Sequence, residues 1–395
     1  MPPVRTSNPS KRRAILAIAI SAIALETALL GMIAPLLPEI EERTGAGDEA
    51  LGLAMAAYAI PILAASVPVG HLADRLGRRP ILLGGLLLTG AGSVLIAVST
   101  ALAPLLLGRA VQGVGATLSW VAALALVSDL ARPGRKGEAL GFAFAANSLG
   151  AVGGPALGGI VGGTVSFETP FFLVTAIALA IFAAGLVVLP RAAEPASAAG
   201  DERPRTIRLL LRPAALVPAM ASATGAIVIG LIDFVVPLDF DRRLGTTATA
   251  VGVIFAAIAL IDAATAPPAG KAGDRFGRRP VALAGALVMS VSGILLAVVG
   301  GFAAACVALA ILAVGLSVTF AASAPWLDET FGELNRGLAY GGLNLIFALG
   351  YTVGPLAGGW LLARSGAEAA YALIAAVSAL VVTLLVVAPP GKRKL

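Results

Sequence analysis

The sequence predicts an all-α membrane protein in which twelve transmembrane helices form two pseudo-symmetric six-helix bundles. The chain of 395 residues is 58% hydrophobic and 13% charged, whereas soluble domains are typically about 45–50% apolar and about 25% charged. Long apolar segments recur along the chain, and two motifs are repeated at an offset of about 200 residues. A soluble core could not hide this much apolar surface, so we expect the lipid bilayer to be the solvent.

A transmembrane helix needs about 20 predominantly apolar residues. Twelve segments meet this requirement, at roughly 14–36, 51–72, 80–99, 103–128, 138–163, 169–190, 214–238, 248–270, 280–300, 303–324, 337–363 and 367–388. The first segment has no convincing small-residue cleavage site, so we expect a retained helix. The longest interruption, 191–213, is rich in Pro, Ala and charge. It predicts a cytoplasmic linker between an N-terminal bundle, 1–190, and a C-terminal bundle, 214–395.

The distribution of Lys and Arg predicts that both termini are cytoplasmic. That side then receives the arginines near 75–79, 132–136 and 275–279, those of the linker, and the terminal KRK. The net charge of +6 therefore follows from membrane topology, and it leaves no contiguous nucleic-acid footprint. High Ala, Gly and Arg content suggests a bacterial cytoplasmic membrane, and we expect a monomer.

Two motifs indicate an internal duplication. The string GHLADRLGRRP at 70–80 returns as GKAGDRFGRRP at 270–280. A glycine-rich segment that begins at Asn147 returns at Asn344, and its glycines and proline keep an offset of 200 residues. Two repeats in register predict two homologous six-helix halves, an arrangement common among secondary transporters.

These motifs resemble those of the major facilitator superfamily. GHLADRLGRRP is similar to its loop signature, and LGRAVQGVGA is similar to its Arg-x-x-Gln-Gly-x-Gly motif through Arg109, Gln112, Gly113 and Gly115. GAVGGPALGG resembles the motif of the drug:proton antiporter branch. The resemblance covers all twelve segments, and it implies a secondary transporter of small molecules that works by alternating access.

The resemblance also implies that the charged strings form a conformational switch on the cytoplasmic side. Glycine permits a tight reversal between helices, and Arg78 can form a forked ion pair with Asp129. The alternative is that the arginines only set the topology. The candidate switch residues are Gly70, Asp74, Arg75, Gly77, Arg78, Asp129, Gly270, Asp274, Arg278 and Glu329.

The glycine-rich segments predict a helix-bend motif. Glycines at a spacing of four let another backbone approach closely, and Pro155 removes a helix hydrogen bond and can bend the helix. We expect a tight, bendable contact between the halves, the alternative being ordinary small-residue packing. The motif residues are Gly150, Gly154, Pro155, Gly158, Gly354 and Pro355.

Charged residues inside the apolar segments are candidates for proton coupling, because each costs about 2.5–3.5 kcal/mol at a helix centre. They are Glu26, Asp262, Asp233 and Arg109. An apolar environment favours the neutral form of a carboxyl group, which suits a proton carrier, whereas Arg109 stays protonated. The alternatives are structural hydrogen bonds, or a static bridge between Asp262 and Arg109.

The predicted substrate cavity combines a few polar and aromatic side chains with many Ala, Leu, Ile and Val residues. Its candidates are Glu26, Tyr58, Gln112, Asn147, Asn344 and Phe234. The mostly apolar lining favours export of lipophilic or amphipathic compounds in exchange for protons. Export of sugars or other metabolites, and proton-coupled symport, are the alternatives.

Other function classes fit the sequence less well. No Gly-x-x-x-x-Gly-Lys-Ser/Thr stretch is present, so the chain carries no ATP-binding cassette of its own. The single histidine, His71, and the single cysteine, Cys306, cannot form a His-dependent triad or a His/Cys metal site. We therefore expect neither an enzyme nor a cofactor. A non-transporting sensor would be expected to lack the intramembrane carboxylates.

Overall fold

The computed structural model describes residues 9–131, 136–190, 212–331 and 336–387, and the regular secondary structure in these ranges is helical. Eleven helices of this part are long and apolar enough to cross a membrane. The last of them is interrupted at Gly366, where φ is 79° and ψ is 177°, so it supplies two helices. The all-helical architecture predicted from the sequence is therefore confirmed, and the helices agree with the twelve predicted segments.

We label the twelve long helices α1 to α12. The first six are α1 Pro9–Met32, α2 Asp48–Leu76, α3 Arg78–Ala97, α4 Leu102–Asp129, α5 Lys136–Ala156 and α6 Glu168–Val188. The second six are α7 Pro213–Leu244, α8 Ala248–Phe276, α9 Arg278–Val298, α10 Phe302–Phe331, α11 336–365 and α12 367–387. A 3₁₀ turn, Ala34–Leu36, joins α1 to a short helix, Leu37–Thr44. After α5 come a π-turn, Leu157–Val161, and one further turn, Gly162–Thr164.

The chain forms two compact units. The first lies within Met1–Gly200 and also takes in Thr246–Ala256, and the second lies within Asp201–Gly245 and Ala257–Leu395. Most of the predicted linker, 191–211, is outside the described residues, so the boundary between the two bundles stays a prediction.

The charged strings are mostly helical, which corrects the expectation that they are loops. Gly77 alone separates α2 from α3, with φ 89° and ψ 160°. Gly277 does the same between α8 and α9, with φ 95° and ψ 150°. A positive φ with an extended ψ is essentially restricted to glycine and costs other residues about 1–3 kcal/mol, so a single glycine is enough to reverse the chain.

The backbone shows the duplication independently of the side chains. Gly45 (φ 63°) ends the short helix after α1, and Gly245 (φ 61°) ends α7. Together with Gly77 and Gly277 they form two pairs of positive-φ glycines, each pair separated by 200 residues. Gly45 and Gly245 adopt the left-handed conformation that commonly satisfies the last carbonyl groups of a helix, so both halves use the same turn chemistry.

Two arginines at matching positions fix the ends of other helices. Arg79 donates a hydrogen bond to the Leu186 carbonyl oxygen at 2.8 Å, and Arg279 donates one to the Leu385 carbonyl oxygen at 2.7 Å. The acceptors lie in the last turns of α6 and α12, where carbonyl groups have no partner within their own helix. The final arginine of each charged string therefore stabilises a helix end, a role that the string does not indicate.

Gly277→Ala is expected to lower the free energy of unfolding of the detergent-solubilised protein by about 1–3 kcal/mol, because alanine strongly disfavours a positive φ with an extended ψ. A Cβ at this position would meet only the Pro280 ring at ordinary distances of 3.7 and 3.9 Å, so conformation alone sets the cost. Gly84→Ala is the control, since Gly84 is helical and has no atom within 4 Å of its Cβ position. Equal melting temperatures for the two variants would contradict the prediction.

Candidate functional site

A cluster of buried polar side chains lies at the centre of the first unit. We call it the buried polar cluster; its members are Glu26, Tyr58, Thr89, Ser93, Arg109, Gln112 and Ser119. Glu26, on α1, is 3% exposed and accepts a hydrogen bond from the Thr89 hydroxyl of α3 at 2.9 Å. A carboxyl group in this position has lost nearly all its contact with water, so its hydrogen bonds and its charge state are decided by the protein.

Hydrogen bonds link Arg109 to Glu26 through α3. The Arg109 guanidinium donates to Gln112 Oε1 at 3.1 Å, and Gln112 Nε2 donates to Ser93 Oγ at 2.8 Å. Ser93 in turn donates to the Thr89 carbonyl oxygen at 2.8 Å. The side chain of Thr89 then contacts Glu26. The cation and the carboxyl group therefore belong to one network, in which a change at one end alters the environment of the other.

Tyr58, on α2, contacts both charged members of the cluster, Glu26 and Arg109. Its hydroxyl donates to the Glu26 carbonyl oxygen at 3.3 Å, and the Arg109 guanidinium lies 4.5 Å from its ring centroid. A cation over an aromatic face gains about 0.5–2 kcal/mol. Since Arg109 is 1% exposed, the ring and Gln112 replace part of the water that the charge has lost.

Glycines in α3 and α4 make room for this cluster. A Cβ at Gly85 would lie 2.6 Å from the Ser119 nitrogen, and a Cβ at Gly115 would lie 2.6 Å from Thr89 Oγ1. A Cβ at Gly113 would collide with the Tyr58 carbonyl oxygen. The glycines that follow Gln112 therefore allow α2, α3 and α4 to approach closely, which the sequence motif alone does not explain.

The second unit repeats the glycine contacts without the polar groups. A Cβ at Gly285 would lie 2.7 Å from the Thr319 nitrogen, and one at Gly315 would lie 2.8 Å from the Met289 nitrogen. The residues that stand 200 positions after Thr89, Ser93, Arg109 and Gln112 are Met289, Gly293, Leu309 and Leu312. The buried polar cluster is therefore specific to the first unit within the described part of the chain.

The helix-bend motif packs against α1, the helix that carries Glu26. Cβ atoms at Gly150, Gly154 and Gly158 would each collide with α1 carbonyl oxygens, those of Ala24, Ala28 and Met32. The Pro155 ring lies 3.0 Å from the Cβ position of Gly31, and a π-turn follows directly. The next glycine, Gly159, accepts a hydrogen bond from Thr249 at 3.2 Å, in the part of α8 that belongs to the first unit. The motif therefore sets how closely α5 approaches α1.

The second copy of the motif makes the same kind of contact. A Cβ at Gly354 would lie 2.5 Å from the Ile227 carbonyl oxygen, and the Pro355 ring lies 2.9 Å from the Cβ position of Gly230. Phe234 of α7 is fully buried and lies 3.0 Å from the Cβ position of Gly358. In this structure Phe234 therefore packs between α7 and α11, and its place in a substrate cavity stays a prediction.

The two candidate asparagines differ in their surroundings. Asn147 Oδ1 accepts a hydrogen bond from the Thr27 hydroxyl at 2.9 Å, which ties α5 to α1 one residue after Glu26. Asn344 is partly buried in α11. Gln112 and Asn147 are therefore both engaged in hydrogen bonds inside the first unit, and their contact with a substrate stays a prediction.

The two candidate aspartates of the second unit also differ. Asp233 accepts a hydrogen bond from the Tyr351 hydroxyl at 2.8 Å, and Tyr351 stacks on Phe347 with ring centroids 5.9 Å apart. Asp262 is exposed near the middle of α8, and its carbonyl oxygen accepts a hydrogen bond from Ser317 at 3.0 Å. Asp233 is therefore held by the Tyr351 hydroxyl, whereas Asp262 is more exposed and lies beside the Ser317 hydroxyl.

Sequence reasoning missed a third carboxylate. Asp239 is 6% exposed and accepts hydrogen bonds from Arg243 at 2.9 and 3.2 Å and from Tyr371 at 2.9 Å. The predicted transmembrane segment ends at 238, but α7 continues to Leu244 and includes Asp239. The spacing of four between Asp239 and Arg243 is the signal that could have indicated it, because such pairs face each other on a helix.

The switch residues form ion pairs in both units. Arg78 Nε lies 3.6 Å from Asp129 Oδ2, and Arg278 lies 2.6 Å from Asp274 and 3.1 Å from Glu329. Arg278 also donates to the Gly270 carbonyl oxygen at 3.4 Å. Arg75 is exposed in the last turn of α2. Gly70 and Asp74 fall outside the residues whose side chains are described.

Comparisons with known proteins identify the family. The model of the Major Facilitator Superfamily matches residues 18–238 and 219–395. The MFS-type transporter ppzB of Metarhizium majus (strain ARSEF 297) is 29% identical over 413 residues, which cover 84% of this chain and 90% of the relative. Multidrug resistance protein 1 of Bacillus subtilis (strain 168) is 25% identical over 337 residues, which cover 84% and 85%.

A solved structure shows the same fold. The crystal structure of a D-xylose-proton symporter superimposes with a TM-score of 0.78 at 16% sequence identity, over 96% of this chain and 98% of that one. The family model spans nearly the whole chain. Close glycine contacts between helices occur in both halves, and so do the ion pairs of the charged strings. The chain therefore belongs to the Major Facilitator Superfamily of membrane transporters.

Proposed function

We propose that this protein exports small lipophilic or amphipathic compounds across a bacterial cytoplasmic membrane in exchange for protons, as a monomer with both termini in the cytoplasm. Glu26 carries the proposal. It is 3% exposed, and its Oε2 atom has no hydrogen-bond partner among the described residues. An ionised carboxylate buried in this way is costly unless it is compensated, and binding a proton removes the cost.

The surroundings of Glu26 support a proton site that responds to helix movement. Its contacts come from three other helices, through Tyr58 of α2, Thr89 of α3 and the network that leads to Arg109 of α4. Opening the cluster to water would restore hydration and favour release of the proton, whereas closing it would favour uptake. Proton transfer would then depend on conformation, as exchange by alternating access requires.

Proton entry supplies enough energy for export. Moving one charge across the membrane is worth about 2.3 kcal/mol per 100 mV, and a tenfold concentration ratio requires about 1.4 kcal/mol. One proton per molecule of cargo is therefore enough to concentrate a neutral solute more than tenfold.

The chemistry of the candidate residues favours a lipophilic cargo. Gln112 and Asn147 are engaged in internal hydrogen bonds, so they leave few polar groups to bind the hydroxyls of a sugar. The Bacillus subtilis relative is named a multidrug resistance protein, which supports a drug-like cargo for this chain. The ion pairs of Arg78 and Arg278 support a switch at the ends of α2 and α8, with the positive-φ glycines as its pivots.

Proteoliposomes with a lumenal pH dye test the proposal. We expect lipophilic compounds, supplied as a panel of cationic and neutral drugs, to drive proton movement opposite to their own. A sugar panel is expected to leave the pH unchanged. Proton movement in the same direction as a sugar would instead establish symport, and a complete lack of proton movement with every compound would reject proton coupling.

A further inference from the structure

We propose that Arg43 is a positioning residue of the proton site. Its ion pair with Glu168 closes a ring of contacts among α1, α6 and α3, which we call the three-helix frame. The frame holds Thr89 of α3 against Glu26 of α1. The inference rests on the proposed function, because it concerns how the surroundings of Glu26 are maintained, and it assigns a role to an arginine that belongs to none of the sequence motifs.

The first side of the three-helix frame joins α1 to α6. Arg43 lies in the last turn of the short helix after α1, and its Nη2 atom is 2.5 Å from Glu168 Oε1 in the first turn of α6. Its guanidinium also lies 4.3 Å from the ring centroid of Phe167, an arrangement that attracts a cation to the ring. Residues 32–37, which connect α1 to the short helix, are all buried. A displacement at Arg43 is therefore passed to α1 through close-packed side chains.

The second side joins α6 to α3. The Thr175 hydroxyl of α6 is shared between two acceptors, the Gly90 carbonyl oxygen of α3 at 3.2 Å and the Phe171 carbonyl oxygen of its own helix at 2.9 Å. The Cβ position of Gly90 lies 3.6 Å from Thr175 Cγ2, so the two helices are also in van der Waals contact at this point. Helix α6 therefore holds α3 at the residue that directly follows Thr89.

The third side returns from α3 to α1, through the hydrogen bond that Thr89 donates to Glu26 Oε1 at 2.9 Å. Each side of the three-helix frame thus contains one polar contact between two helices. Hydrogen bonds weaken steeply when their distance and angle depart from the optimum. A small shift of α3 relative to α1 is therefore enough to weaken the contact with Glu26, and the ion pair of Arg43 opposes this shift.

The second unit repeats two sides of the frame at matching positions. Arg243 donates to Asp239 at 2.9 and 3.2 Å, and Tyr371 of α12 donates to the same carboxylate at 2.9 Å. Ser290 of α9 donates to the Ala375 carbonyl oxygen of α12 at 3.1 Å. An arginine after the first helix of the half therefore connects it to the sixth in both units, and a hydroxyl connects the sixth helix to the third. The residues that stand 200 positions before these are Arg43, Glu39, Phe171, Gly90 and Thr175.

Only the third side differs between the units. The residues 200 positions after Glu26 and Thr89 are Ala226 and Met289, which cannot form the corresponding hydrogen bond. The packing of the helices is therefore common to both halves, whereas the first half uses it to position a carboxyl group.

Glu39 provides a matched control, because it contacts the same arginine without closing a side of the frame. It lies four residues before Arg43 in the same short helix, and its Oε1 atom is 3.7 Å from Arg43 Nη1. A pair within one helix cannot hold that helix to another. Glu39→Gln therefore removes a carboxylate from Arg43 and leaves its ion pair with Glu168 in place.

Amide hydrogen exchange of the purified protein, followed by mass spectrometry, tests the frame without a substrate. In Arg43→Gln we expect exchange to rise severalfold in the α3 segment around Thr89, because α3 loses part of its support against local opening. Arg43→Lys keeps the charge and is expected to stay closer to wild type, and Glu39→Gln is expected to match wild type. A rise confined to 37–44 and the first turn of α6 would mean that Arg43 is only a local support, and the inference would be wrong.

Transport in proteoliposomes tests the consequence for the proton site. We expect Arg43→Gln to lower the maximal rate of substrate-driven proton movement about threefold or more, the scale of coupling between contacting residues. KM for the cargo is expected to stay the same, because Arg43 acts through the surroundings of Glu26. The melting temperature should fall by no more than about 4 °C, since partly exposed ion pairs contribute little to stability.

A double variant shows whether the two charges act together. Glu168→Gln is expected to slow transport as much as Arg43→Gln, and the variant with both changes is expected to be no slower than either one, because each change opens the same side of the frame. Losses that multiply in the double variant would show that the two residues act independently and would overturn the inference.

The outcomes also separate this inference from the proposed function. If wild type moves no protons with any compound, the proposed function fails, whereas the exchange measurement still decides whether Arg43 supports α3. If wild type transports and Arg43→Gln retains both the wild-type rate and the wild-type exchange around Thr89, the inference is wrong and the proposed function stands.

Discussion

Replacing Glu26 with Gln is expected to reduce substrate-driven proton movement in proteoliposomes to the level of empty vesicles. Gln preserves the shape of the side chain and an oxygen that accepts the Thr89 hydrogen bond, so the four contributing helices should stay packed. It cannot bind or release a proton in the working range, however. We expect the variant to be purified in a folded state and to retain substrate binding while losing the coupled proton flux.

Glu39→Gln is the matched control for this experiment. Glu39 lies in the short helix that follows α1, and it forms only a partly exposed pair with Arg43 at 3.7 Å. Exposed pairs contribute about 0–1 kcal/mol, so transport should be unaffected. Undiminished proton movement in Glu26→Gln would contradict the prediction. Asp233→Asn and Asp262→Asn would then become the decisive variants.

Gly158→Ala is expected to destabilise the protein by about 1–3 kcal/mol or more, the usual range for overpacking a close contact. The added Cβ would collide with the Met32 carbonyl oxygen. Backbone cannot move aside like the end of a flexible side chain, so α5 and α1 must separate. Because α1 carries Glu26, we also expect the transport rate to fall in vesicles at temperatures where the variant remains folded.

Gly153→Ala tests whether this cost is specific. Gly153 belongs to the same glycine-rich segment, but no atom lies within 4 Å of its Cβ position. Since Ala favours a helix by about 1 kcal/mol over Gly, the control should be neutral or slightly stabilised. The single Cys306, which is partly buried in α10, permits a thiol-reactive dye to follow thermal unfolding. Similar melting temperatures for the two variants would refute the packing argument.

Several features of this protein follow from the sequence by itself. The apolar segments had to be helices, because a bilayer requires every backbone polar group to be bonded within its own segment. The repeated strings predicted the duplicated halves, and the glycine turns and ion pairs recur in both units. Glu26, Asp233 and Arg109 were identifiable because charges are rare in the middle of such segments.

The tertiary structure alone decided which helices these residues contact. Helices that are apolar on every side lack the periodic pattern that indicates a buried face, and lipid is as apolar as their neighbours. The sequence therefore could not show that the glycines of α5 face α1, that Phe234 is a packing residue, or that Asp239 bonds to Tyr371. The hydrogen bond from Thr89 to Glu26 likewise depends on two distant segments meeting, since hydrogen-bond partners across helices are fixed by three-dimensional packing and not by local spacing.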